Sequence, residues 1–151
     1  MDESPGCVGG GQSSPALTLD ASLELHGDGS RIAHARQHAA AFLAEARDDH
    51  GILVATGTIE VVQLIVSELV TNARKYAPGP AILHLRIAGP VLQVELWDSS
   101  PVLPAAETPD PHRVGQHGLE LVTALARTVT VEPAAVGKRI TAEIDLDTTG
   151  V

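Results

Sequence analysis

Glu68 and Asn72 stand four residues apart in Ser67-Glu68-Leu69-Val70-Thr71-Asn72-Ala73-Arg74-Lys75-Tyr76-Ala77, a stretch that reads as a helix. That spacing puts the two side chains roughly 40° apart on the same side of the helix. Around them Val62, Ile65, Val66, Leu69 and Ala73 recur at offsets of three and four and form one apolar stripe. The carboxylate and the carboxamide therefore border the core. A partly buried carboxylate must be paired or solvated, and a cleft that holds a cation accounts for both groups. Two further polar signals fall at element ends. Asp98 closes an apolar strand, and Gly115-Gln116-His117-Gly118 leads into an apolar helix. Glycines there let backbone approach a ligand, while free N–H groups and the helix dipole favour an anion. An acid, a metal-compatible amide and an anion-binding helix start together describe a nucleotide site. Plainer readings stand beside this one: a solvated helix face for Glu68 and Asn72, a turn cap for Asp98 with Ser99 and Ser100, and ordinary helix-start glycines.

The elements that must position these residues follow from hydrophobic periodicity. Residues 1–15 are rich in Gly, Ser and Pro and predict a disordered tail. Leu17, Leu19, Ala21, Leu23 and Leu25 alternate, which predicts a half-buried strand. The turn at His26 to Ser30 can cap a helix. Its Gly27-x-Gly29 pair has Ile32 where a dinucleotide fingerprint needs a third glycine, so it reads as a plain turn. Ile32, Ala35, Ala39, Phe42, Leu43 and Ala46 predict a helix over about 30–47, closed by Asp48-Asp49-His50-Gly51. His34 and His38 are four apart on it but lack an accompanying carboxylate motif, and they read as a solvated face. The central helix starts near Thr56-Gly57-Thr58 and ends at Pro78-Gly79-Pro80. Strands over 81–88 and 91–97 with Gly89-Pro90 between them make a hairpin. Residues 99–116 carry four prolines and no periodicity, the mark of a lid or functional loop. A helix over 119–127 and strands over about 128–132 and 138–146 complete the domain, with a frayed end at 148–151. Helices cluster early and the hairpins are antiparallel. The expected fold is therefore α+β, a two-layer sandwich with a mixed, mostly antiparallel sheet and helices on one face.

Composition narrows the function. The 151 residues make one domain, placed at 16–147. Hydrophobic residues are 44% and aromatics only 2%, so the core must be built from Ala, Val, Leu and Ile. A net charge of −9 argues against nucleic acid and anionic membranes as partners. Cys7 is the single cysteine, which excludes an intrachain disulfide and a cysteine-built zinc site. No apolar run approaches the roughly 20 residues of a membrane span, and Met1-Asp2-Glu3 does not begin a secretory signal. A cytoplasmic location is expected. Gly137-Lys138 lacks the upstream glycine of a P-loop and is followed by Arg139. No Gly-x-Ser-x-Gly elbow is present.

The polar stretches resemble a known family. Ser67 to Ala73 with Tyr76-Ala77-Pro78-Gly79 looks like the N box of the GHKL (Bergerat-fold) ATPases. Trp97-Asp98-Ser99-Ser100 looks like the first G box, and Gly115-Gln116-His117-Gly118-Leu119-Glu120-Leu121-Val122 like the second. The resemblance spans about residues 17–146 and is closest to the short single-domain branch of anti-sigma-factor serine kinases and actinobacterial regulatory ATP-binding proteins. It implies ATP and Mg²⁺ as cofactors. Asn72 would coordinate the metal, and Glu68 would orient or deprotonate the attacking hydroxyl or water. Asp98 would accept from the adenine amino group. Gly115 and Gly118 would place backbone at the phosphates, with Leu119 beside them; His117 between the glycines reads as a phosphate contact or as loop packing, and Lys75 as a further phosphate contact or a solvated helix charge. Ser100 stands where many members have glycine. No phosphoacceptor-histidine dimerisation domain accompanies the boxes, and the chain is too short for the transducer domains of gyrase-like relatives. Three functions follow as expectations. One is a serine/threonine protein kinase acting on a partner such as an anti-sigma antagonist. Another is a nucleotide-gated module that sequesters a sigma factor or similar regulator with little turnover. The third is a scaffold whose ATP site has decayed. A homodimer is compatible with each.

Overall fold

The computed structural model describes residues 18–26, 31–76, 79–98, 116–135 and 137–147. The expected N-terminal tail, the 99–115 connection and the C-terminal end at 148–151 lie outside the described residues. The chain runs β1 (Thr18–Leu25), α1 (Arg31–His50), α2 (Thr58–Tyr76), β2 (Ala81–Ala88), β3 (Val91–Asp98), α3 (Gln116–Leu125), β4 (Thr128–Pro133), β5 (Lys138–Asp145). This is the order read from periodicity.

The strands form one five-stranded sheet in the order β1-β2-β3-β5-β4. Every pairing is antiparallel, so the parallel component of the expected mixed sheet is absent among the described residues. Gly89, with φ +61, turns β2 into β3 through a two-residue hairpin. Alternation then sorts the side chains. Leu83, Leu85 and Ile87 pair across the register with Leu96, Val94 and Leu92, which in turn face Ile140, Ala142 and Ile144. All nine are buried. The residues between them are half-buried or exposed, so the helices cover one face of the sheet and leave the other open.

The helical layer is built from small and branched residues, as the scarcity of aromatics requires. Ala35, Ala39, Leu43 and Ala46 of α1 are fully buried, and α1 packs on α2. In α2 the buried set is Thr58, Val62, Ile65, Val66, Leu69, Val70, Asn72 and Ala73. Each fully buried Val, Leu or Ile contributes about 1.5–3 kcal/mol over an exposed one. α1 runs one turn beyond its expected end because Asp48, Asp49 and His50 still take helical backbone. Gly51, at φ +67, then stops it, and the Ile52 N–H donates to the Ala46 carbonyl at 3.0 Å. Among the described residues no helix is long and apolar enough to cross a membrane.

Candidate functional site

Beside Arg31, buried at the start of α1, two elements carry the buried polar groups that bear on the site. The first is α2. Asn72 is 2% exposed within its apolar stripe, and its Nδ2 is buried with no hydrogen-bond partner among the described residues. A buried amide left unpaired costs about 1–3 kcal/mol. Half a turn of the amide puts Oδ1, a cation ligand, in the orphaned position. Glu68 lies one turn earlier and is half-buried. Ser67 beside it spends its hydroxyl locally, donating to the Gln63 carbonyl at 2.8 Å. Lys75 is on the same helix, but its side chain lies outside the described part of the structure.

The second element is the end of β3. Asp98 is the last residue of the strand and points into the helix-facing layer, 4% exposed. α2 packs against β3, and both Asn72 and Asp98 belong to the buried surfaces of these two elements. The strand register places Lys138 of β5 opposite Asp98. The lysine is fully buried, and its Nζ lies 3.0 Å from Oδ1 and 2.8 Å from Oδ2 of the carboxylate. This partner was not among the residues picked out from sequence. Its signal was present: Lys138, Ile140, Ala142 and Ile144 share one face by strand alternation, and a lysine on a buried face requires a counter-charge.

The third expected component is the glycine-flanked helix start. α3 begins at Gln116, three residues before the expected start. Gln116, His117 and Gly118 therefore belong to its first turn rather than to a preceding loop. The first-turn N–H groups of a helix have no intrahelical acceptor, and they are the groups an anion would use. Gly115 lies outside the described residues, as do the side chains of Gln116 and His117. Leu119 turns its side chain to the core, which leaves its backbone for a ligand. α3 packs on α2 and touches β5, so it belongs to the same helical layer.

Other polar groups lie elsewhere. His34 is exposed and His38 half-buried. Burial and then the neighbouring His34 hold the His38 imidazole below its ordinary pKa. Among the described residues no three His, Cys, Asp or Glu side chains gather to hold a metal. Hollows lined by Ser22, Ile82, His84, Glu95 and Trp97, and by Arg86, Gln93, Arg127 and Glu143, open on the uncovered face of the sheet. They are on the opposite side from Asp98.

Residues 29–144 match the family model of the histidine kinase-like ATPase domain, and the chain belongs to that family. It is thus a member of the GHKL superfamily, and membership implies an ATP-binding domain. Solved structures similar to it include the histidine kinase domain of the Erythrobacter litoralis EL346 blue-light activated histidine kinase (TM-score 0.49, 20% identity, covering 79% of this chain and 63% of that one). Another is the Acinetobacter baumannii histidine kinase AdeS (TM-score 0.46, 14% identity, covering 85% of this chain and 68% of that one). The chain therefore spans less than two thirds of the first of these structures. No curated protein matches significantly.

Proposed function

We propose that this domain binds Mg·ATP and transfers the γ-phosphoryl group to a serine or threonine of a partner protein, in the manner of an anti-sigma-factor kinase. The observation that supports the reading is the buried amide of Asn72, whose Nδ2 has no hydrogen-bond partner among the described residues, one turn from the half-buried carboxylate of Glu68. With the amide turned so that Oδ1 takes the place of Nδ2, Asn72 would be a ligand for the cation that accompanies ATP.

Bound Mg·ATP supplies an activated phosphoryl donor whose negative charge the metal neutralises. Asn72 would hold the metal by its amide oxygen. Asp98 accepts from the amino group of adenine. The backbone around Gly115, His117, Gly118 and Leu119 favours the phosphates by its free N–H groups, and Lys75 adds a cation at the next turn of α2. Glu68 accepts the proton of the attacking hydroxyl as its oxygen bonds to the γ-phosphorus and the bridging oxygen leaves with the diphosphate. The acidic net charge leaves a protein as the favoured partner, a sigma-factor antagonist or the sigma factor itself.

Incubation of the full chain with γ-labelled ATP and serine-bearing candidate partners tests this. Label on a partner, abolished by Glu68→Ala with ATP binding retained, is the expected result. Tight Mg·ATP binding without label would replace the kinase by a nucleotide-gated sequestering module. Absence of binding would leave only the scaffold.

A further inference from the structure

We propose that Lys138 is a second base-reading residue, donating to the ring nitrogen of adenine beside the amino group that Asp98 accepts. The inference rests on the adenine-nucleotide reading of the site given above. Lys138 and Asp98 stand opposite each other at the ends of β5 and β3, on the helix-facing side of the sheet. Both are buried, with the ammonium within 3.0 Å of both carboxylate oxygens. Among the described residues Asp98 is the partner of this ammonium.

Stability alone does not account for the pair. Two buried charges rarely improve on a well-packed apolar pair of similar volume, and the same layer is otherwise filled with Leu, Ile, Val and Ala. Chemistry accounts for it better. A carboxylate only accepts hydrogen bonds, and an ammonium only donates, with three N–H groups. Its contacts to Asp98 engage at most two of these. The two side chains together present an acceptor beside a donor. The pairing edge of adenine presents the inverse, an amino donor beside the N1 acceptor. Guanine reverses that order, with O6 in place of the amino group and N1–H in place of the free nitrogen. A carboxylate alone would read the amino group and leave N1 to solvent. The pair reads both atoms, and it does so without adding net charge beneath an anionic ligand.

The test compares Mg·ATP with its 1-deaza analogue, in which a C–H replaces N1, by titration calorimetry on the full wild-type chain. The expected result is about tenfold weaker binding of the analogue, the worth of one hydrogen bond to a charged group. The chain has only two lysines, Lys75 and Lys138, so ¹⁵N-labelled lysine gives a direct second readout that needs no variant. The Lys138 Nζ resonance should shift on adding ATP and respond differently to the 1-deaza analogue. ATP and the analogue binding within twofold of each other would overturn the proposal and leave the ATP site standing. So would an identical Lys138 response to both. No binding of ATP at all would overturn the proposal together with the functional reading beneath it.

Discussion

On the open face of the sheet Arg139 pairs with Glu132, Gln93 donates to Glu143, and His84 lies between Asp20 and Glu95. On the helix-facing side the charged pair Asp98–Lys138, and Asn72 on α2, are each buried in a layer otherwise aliphatic. The same strands carry both sets, because successive residues point to opposite faces. Glu95 and Trp97 alternate with Leu96 and Asp98, and Arg139 alternates with Lys138 and Ile140. The outer groups exchange one wet environment for another, and exposed pairs of this kind contribute about 0–1 kcal/mol. The inner groups have left water, and their desolvation must be offset by one another or by a ligand. Polar residues that cost the fold something mark the candidate site, while the more numerous cheap ones mark the solvated face.

The largest expected effect follows from breaking the inner pair. Lys138→Met takes the ammonium from a buried carboxylate and should lower stability by about 3–5 kcal/mol in urea denaturation. Replacing both partners, Asp98→Leu with Lys138→Met, should recover most of that loss. A single variant costing under about 1 kcal/mol would erase the contrast between the two faces. Next comes the orphaned amide. Asn72→Leu removes an unsatisfied polar group and should raise stability by about 1 kcal/mol while abolishing magnesium-dependent nucleotide binding. A fall in both would make Asn72 a structural residue.

On the outer face the effects shrink. Trp97 and Ile82 are opposite each other and about 40% exposed. Truncating Trp97 to alanine should cost no more than about 1 kcal/mol, the scale of a cross-strand pair. Glu132→Ala, which unpairs the exposed Arg139 guanidinium, should change stability by less than about 0.5 kcal/mol. The smallest effect is a pH dependence. Burial, and then His34, lower the His38 pKa below 6.5 in the folded chain. The unfolded chain therefore binds more protons there, so stability is full above 6.5 and falls as pH drops toward the folded value. His38→Gln should flatten this slope in denaturation curves taken between pH 8 and about 5.

Most of the fold was legible because each element obeys a single period. The alternation from Leu19 to Leu25 and from Leu92 to Leu96 could only be strand, and the stripe from Val62 to Ala73 could only be helix. Asp98 is conspicuous in the sequence as an acid at the end of an apolar strand, and the structure buries it there. Strand alternation puts Lys138 on the buried face with Ile140, but its pairing with Asp98 depends on register with β3, which no local pattern reveals. The start of α3 was placed too late for a related reason. Gly118 is a poor helix former, and packing on α2 outweighs its propensity. The all-antiparallel sheet likewise depends on which strand β5 joins, a long-range choice between β3 and its neighbours.

The most direct test of the account is titration calorimetry of ATP into the full chain, with and without Mg²⁺, in the wild type and in Asn72→Ala. The account predicts binding that tightens at least tenfold with Mg²⁺ in the wild type, the scale of one charge-assisted contact, and loses that dependence in the variant. Equal magnesium dependence in both proteins, or no wild-type binding, would contradict it.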